Sequence, residues 1–142
     1  MDIKAVSDGI YAVFVADSDL KTALGGNIER RLYDTKGPQN PTFPYAVFQY
    51  ISGDYDLAFG ELFEVTQWQF SMFNKDGDPL DKTTLNDVFK KLAAAYDEAE
   101  ATMTVSGYSV ISVTRGVSNF LPTVDETQQF VISYEIMIQK DR

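Results

Sequence analysis

Apolar positions along the first two dozen residues recur at the spacing of a helix with one buried face. Ile3, Val6, Ile10, Val13 and Phe14 define that face, and the polar run Asp17 to Asp19 interrupts it. Ser18 is placed to cap a second short helical turn carrying Leu20 and Leu24, which Gly25-Gly26 ends. Ile28 to Tyr33 reads as a short strand, and 34–42 as a loop rich in Gly, Pro and Asn.

From Tyr45 to Ile51 nearly every position is apolar, which predicts a strand covered on both faces. A polar, acidic and aromatic connection follows over 52–60. The next strand alternates: Thr66, Trp68, Phe70 and Met72 face one way, Gln67, Gln69 and Ser71 the other, so Trp68 is expected in the core. Asp78-Pro79 has the form of a helix start, and Leu85, Val88, Phe89, Leu92, Ala93 and Tyr96 give the helix its apolar stripe. Its end falls among Asp97, Glu98 and Glu100, the wrong charge for the negative end of a helix dipole. Strands are then expected at 102–105, 108–120 and 130–139, with a tight corner at 121–126.

Helices, strands, one long helix and strands make an α+β pattern. It predicts a single domain over 1–142: a mainly antiparallel twisted sheet of about six strands, with N-terminal helices and the long helix packed on one face.

Composition narrows the chemistry. The 142 residues include no Cys and no His, which excludes disulfides, Cys/His zinc sites, thiol nucleophiles and any Ser-His-Asp triad. The chain is expected not to be an enzyme. With 12 basic and 21 acidic residues, its formal charge of −9 repels nucleic acid and anionic membranes over a Debye length of roughly 8–10 Å. No run approaches the ~20 apolar residues of a membrane span, and the start of the chain lacks the basic and apolar segments of a secretory signal.

Candidate motifs mostly dissolve on inspection. Asn74 to Asp78 resembles part of a calcium loop, but with Gly77 in sixth place Met72 and Thr83 occupy the first and twelfth, where carboxylates belong. A turn ending in a helix cap accounts for it better. Asp54, Asp56, Glu61 and Glu64 have the residue type of a glycosidase pair, whose carboxyls must sit roughly 5–10 Å apart, and nothing in the sequence fixes such a distance. Gly25-Gly26 has no phosphate-cradle frame, and Arg30-Arg31 on a strand would point to opposite faces. Aromatic residues in loops, namely Phe43, Tyr55, Phe59, Phe63 and Phe120, suit either a protein contact or a fold-back over the sheet.

The order of landmarks resembles the tail-completion, or tail-terminator, proteins of long-tailed bacteriophages and prophages. Those landmarks are the helical start ending at Gly25-Gly26 before Ile28, the stretch Arg31-Leu32-Tyr33-Asp34, the Pro-rich loop closing in Pro44-Tyr45, the Trp68 strand, the long helix and the corner from Pro122 to Asp125. Leu32 stands where the family has Ile, and the connection from Tyr50 to Val65 is longer and more acidic than the family pattern. The resemblance implies a structural virion component of the tail and neck, assembled in the host bacterial cytoplasm. It implies a homo-hexameric ring that caps the head-proximal end of the tail tube, stops its polymerisation and joins it to the head connector or head-closure protein. Monomers in free solution are compatible with it.

No catalytic, cofactor or metal residue is implied. Contacts between subunits, or to tube and connector, are expected at Arg31, Tyr33, Pro44 and Tyr45 from the matching motifs, and at Tyr55, Phe59 and Glu61 from loop composition. DNA is expected only to pass through, along a channel wall carrying Asp54, Asp56, Glu64, Asp97, Glu98 or Glu100, since six copies at −9 each repel it. Other readings are a different neck or tail component, such as a head-closure or tube protein, and a small carboxylate enzyme or ligand-binding domain.

Overall fold

The computed structural model describes residues 2–58, 61–75, 82–124 and 126–141; of these, the side chains of residues 27, 55–58, 61, 62, 123 and 124 are left aside. The elements in order are α1 (Ile3–Ala16), α2 (Ser18–Ala23), α3 (Gly26–Glu29), β1 (Leu32–Asp34), β2 (Tyr45–Ala58), β3 (Glu61–Lys75), α4 (Thr83–Tyr96), a 3-10 turn (Ala99–Ala101), β4 (Tyr108–Val124) and β5 (Thr127–Lys140). One five-stranded sheet runs β1-β2-β3-β5-β4, parallel at β1-β2 and antiparallel elsewhere. This is the expected α+β architecture, with five described strands rather than about six.

The missing strand is 102–105. That segment follows the 3-10 turn and makes only an isolated bridge, Val105 to Tyr108. Its backbone is occupied elsewhere, because α1 packs against it so closely that a Cβ on Gly9 would lie 2.6 Å from the Thr104 carbonyl oxygen. In the opposite direction, 52–58 is not a connection. β2 continues through it in unbroken register with β3, from Ser52 opposite Gln67 to Ala58 opposite Glu61, after a bulge at Ile51. The acidic composition hid a strand whose backbone pairs regardless of side-chain charge.

Two caps also differ from expectation. The side chain of Asp17, not Ser18, accepts the Leu20 N–H and starts α2. Gly25 adopts φ 100° just past that helix, as expected of a helix stop, but the chain then turns helically through α3. Ile28 therefore lies in a helical turn, and Arg30 is a left-handed cap with φ 45° rather than a strand residue. The helix start expected at Asp78-Pro79 and the turn at 76–78 lie outside the described residues.

Alternation on β3 and β5 decides where the core sits. Trp68, Phe70 and Met72 on β3 and Ile132, Tyr134, Ile136 and Ile138 on β5 are at most 1% exposed, and α1, α2 and α4 cover them. The expected core position of Trp68 holds. Its indole N–H donates to Thr66 Oγ1 at 2.9 Å, and that hydroxyl donates to the Ile136 carbonyl at 2.9 Å, so the buried polar atoms are satisfied. Tyr96 reaches across from α4 to donate to the Ile10 carbonyl at 2.7 Å, pinning α1 to α4.

The opposite face of the sheet stays largely open. Coverage of β2 on both faces holds only at its start, where Ala46, Val47 and Phe48 are buried, whereas Ile51 to Asp54 are exposed.

Gly9→Ala should destabilise the fold by about 1–3 kcal/mol, the usual range for overpacking, because the new methyl meets a backbone oxygen that cannot rotate away. Urea unfolding of the two proteins measures it; equal midpoints would mean that α1 does not press on 102–105.

Candidate functional site: a clamped corner and an open sheet face

The residues singled out from the tail-completion motifs converge. Arg31 Nε donates to the Pro44 carbonyl at 2.8 Å, its guanidinium pairs with Glu29, and its side chain is only 12% exposed. Main-chain bonds complete the clamp: the Arg31 N–H donates to the Leu24 carbonyl at 2.7 Å, and the Ala46 N–H to the Arg31 carbonyl at 2.9 Å. Gly25 is required beside it, since its φ is left-handed and a Cβ there would sit 2.9 Å from the Arg31 guanidinium. Arg31 thus ties α3, β1 and the start of β2 together.

Next to the clamp, on the open face, Tyr45 stacks on Phe73 at 4.8 Å and touches Phe43 at 5.4 Å and Tyr33 at 6.2 Å. Burial raises the Tyr45 pKa, with Tyr33 adding to the effect. Gly37 lies against this cluster, its Cβ position 3.0 Å from the Tyr45 ring and 3.5 Å from Val47. Sequence reasoning named Tyr33, Pro44 and Tyr45 from the motif but missed Phe73, whose signal was its place in the alternating β3 run. Phe43 folds onto Tyr45, and Phe120 onto Phe130 at 4.6 Å while remaining 37% exposed.

The acidic candidates separate into two places. Asp97 follows α4, where its carboxylate accepts the Tyr134 hydroxyl at 2.8 Å and lies 3.6 Å from Arg115 Nε. These two donors offset the unfavourable charge at the helix end. Glu98 is left-handed with φ 54°, and its N–H donates to the Val113 carbonyl at 3.1 Å; Glu98 and Glu100 are exposed. Asp54 instead pairs in register with Val65 on the open face. A wall made by one face of the sheet takes one of these groups and not both.

Glu64 is 6% exposed and shares the helix-facing side of β3 with Thr66 and Trp68, so it is a buried carboxylate rather than an exposed lining group of this chain. Tyr55, Asp56 and Glu61 belong to the paired backbone of β2 and β3, opposite Glu64, Phe63 and Ala58; their side chains, and all of Phe59, lie outside the described residues.

Along the strands, the open face carries Gln49, Ser52 and Asp54 on β2, Val65, Gln67, Gln69 and Ser71 on β3, and Gln129, Val131, Ser133, Glu135 and Met137 on β5. Gln67 donates to Glu135 at 2.9 Å, and Gln69 to Ser71 at 3.1 Å. Among the described strand residues of this face, Lys75 at the very end of β3 is the only cation. No group of His, Cys, Asp or Glu among the described residues is arranged to hold a metal, and no described helix is long and apolar enough to cross a membrane.

The family model described as tail completion protein gp17 matches residues 8–139. The chain belongs to this tail-completion family. It is accordingly a structural protein of phage-type tails, a component of the virion. Among solved structures, a chain from the virion of a native gene transfer agent particle matches with a TM-score of 0.72 at 12% identity, covering 96% of each chain. A second solved chain matches with a TM-score of 0.59 at 18% identity, over 96% of this chain and 97% of its own. At these identities the likeness is one of fold. No curated protein sequence matches.

The site's pH behaviour follows from two tyrosines. Burial raises the pKa of Tyr96, and burial together with the bond to Asp97 raises that of Tyr134, both well above the ordinary value. The unfolded chain therefore loses these protons first, and the associated stability, complete below about pH 10, falls as the pH rises beyond it. Urea midpoints should drop between pH 8 and pH 10.5, and Tyr134→Phe should cost about 1–2 kcal/mol at pH 8 while shrinking the alkaline drop. An unchanged alkaline drop in the variant would mean that Tyr134 does not contribute to it.

Proposed function

We propose that this tail-completion protein acts as a terminator. Six copies form a ring on the head-proximal end of the finished tail tube, prevent further addition of tube subunits and present a surface to the head connector. Assembly takes place in the host cytoplasm, and the ring forms from monomers or persists in solution before docking. The observation that carries the reading is the family match over 8–139, joined to a fold that offers an open sheet face as a docking surface. The clamped corner of Arg31, Tyr33, Pro44 and Tyr45 supplies a rigid contact element, with Arg31 as its internal brace and the aromatic side chains as its contact area.

The open sheet face is the wall past which DNA moves. Apart from Lys75 at the end of β3, its described glutamines, serines and occasional carboxylates offer phosphates no cation to displace their counterions, so passing DNA does not adhere. Asp54 belongs to this wall; Asp97, held by Tyr134 and Arg115, stabilises the other side of the sheet.

Mixing the purified protein with its tail-tube protein tests the capping role. Tubes of limited length with a six-fold terminal ring are expected by negative-stain electron microscopy; unlimited growth with bare ends would refute it, and self-polymerisation of this chain would make it a tube protein instead. The wall has its own test. Gln69→Lys with Gln129→Lys should leave capping intact and slow genome ejection severalfold, whereas normal ejection would place the DNA elsewhere.

A further inference from the structure

Resting on the ring reading above, the geometry points to how neighbouring copies join: we propose that the free edge of β2 in one copy pairs, antiparallel, with the free edge of β4 in the next. Main-chain hydrogen bonds would then make one continuous sheet around the ring.

Both edges of the sheet are open over long stretches. β1 covers β2 only at Ala46 to Phe48, and the Thr35 N–H takes the Phe48 carbonyl; beyond that point no described strand pairs with the outer side of β2. On β4, the Glu98 N–H occupies the Val113 carbonyl, and from Thr114 onward no described backbone group meets the outer side. Unpaired edges of this kind template a further strand unless they are covered or blocked. The free part of β2, 49–58, contains neither Pro nor Lys; that of β4, 114–124, carries its one Pro, Pro122, near its end. Each edge also exposes an apolar side chain: Ile51 on β2 is 50% exposed and Val117 on β4 80%.

Two features select a second copy of this chain as the occupant. The first is direction. β2, β3, β5 and β4 are successively antiparallel, so β2 and β4 run in opposite senses. A cyclic ring keeps every subunit in the same orientation, and β4 of one copy then meets β2 of the next as an antiparallel pair.

The second is stagger. Gly53, near the middle of the free part of β2, lies opposite Thr66, while Asn119, in the middle of the free part of β4, pairs with Val131 and through it with Ser71. Joining the two middles shifts each copy by the five residues from Thr66 to Ser71 along β3, on the order of 17 Å, across a repeat of four strands about 19 Å wide. That is a strand tilt of roughly 40°, inside the 35–45° at which closed sheets form barrels. The offset of the two free edges is what closure of a ring requires.

The absence of native cysteine makes the test free of background. Single variants Ile51→Cys or Gly53→Cys on β2, and Val117→Cys or Asn119→Cys on β4, are purified separately, checked for fold by circular dichroism, mixed pairwise on capped tail tubes and oxidised. The four combinations sample adjacent registers, since a disulfide needs Cα atoms about 4.4–6.8 Å apart. A shift of the band from monomer to dimer is expected for β2–β4 mixtures and not for β2–β2 or β4–β4 mixtures; a variant with one cysteine on each edge should give a ladder ending at the closed ring. Tubes that are capped by a ring yet yield no cross-edge product would overturn the pairing while leaving the terminator reading standing. Same-edge dimers as the main product would also overturn it. Loss of both ring and capping in the unmodified protein would sink the functional reading and this inference together.

Discussion

The alternation of β3 is the constraint on which the rest of this structure depends. Side chains on a strand change face at every residue, so placing Trp68, Phe70 and Met72 in the dry layer commits Gln67, Gln69 and Ser71 to the wet one. β3 lies in the interior of the sheet, paired along its length with β2 and with β5, and it imposes its facing on both partners. Phe48 meets Trp68 and Phe70 from β2, and Tyr134 meets Phe70 edge-on from β5. Each fully buried side chain of this size contributes about 1.5–3 kcal/mol, and a slip of one residue would turn the whole set to water. Function inherits the same parity, because a face without helices is the other half of a face that has them.

With one face committed to helices, the ends of those helices had to be satisfied against the sheet. Asp97 shows how. A carboxylate after the last turn of α4 is unfavourable on its own, yet it fixes the hydroxyl of the buried Tyr134 and approaches Arg115, so the helix end is anchored to β4 and β5. Tyr96 does the corresponding work between α4 and α1 through the Ile10 carbonyl. The scaffold behind the open face is therefore braced by hydrogen bonds from buried phenols, groups that resist ionisation because they are dry.

How much of this could be read from the sequence depends on how local each signal was. The α1 face from Val6 to Phe14, the β3 alternation, the stripe on α4 and the core position of Trp68 are local periodicities that stand as read, whereas Ile3 at the start of α1 is 43% exposed. The distal half of β2 reads as a connection because its side chains look like a loop, while its structure is set by backbone pairing with β3, from Ser52 opposite Gln67 to Ala58 opposite Glu61. The segment 102–105 failed for the converse reason: it has strand-like residues but no neighbour to pair with beyond Tyr108, since α1 occupies its side. At the corner, the motif names Arg31 and Pro44 only as contacts to other subunits or tail parts. What joins them within the subunit is a guanidinium bonding a carbonyl 13 residues away, which no spacing rule contains.

The same contrast explains why the sheet's edges matter more than its loops. Phe43 in the loop before β2 and Phe120 on β4 spend part of their surface on Tyr45 and Phe130 within the subunit. Edges leave no compositional trace, because their valence is in the backbone. A sheet with a long free strand stretch on each side, β2 beyond the short β1 and β4 at the other edge, displaced along the strand direction, is complementary to a rotated copy of itself. An isologous pair would bring β2 against β2 or β4 against β4 and leave the other edge bare, whereas the proposed head-to-tail pairing would satisfy both at every step until a ring closed. Closure, rather than the strength of any single contact, would then limit such an assembly to a cap.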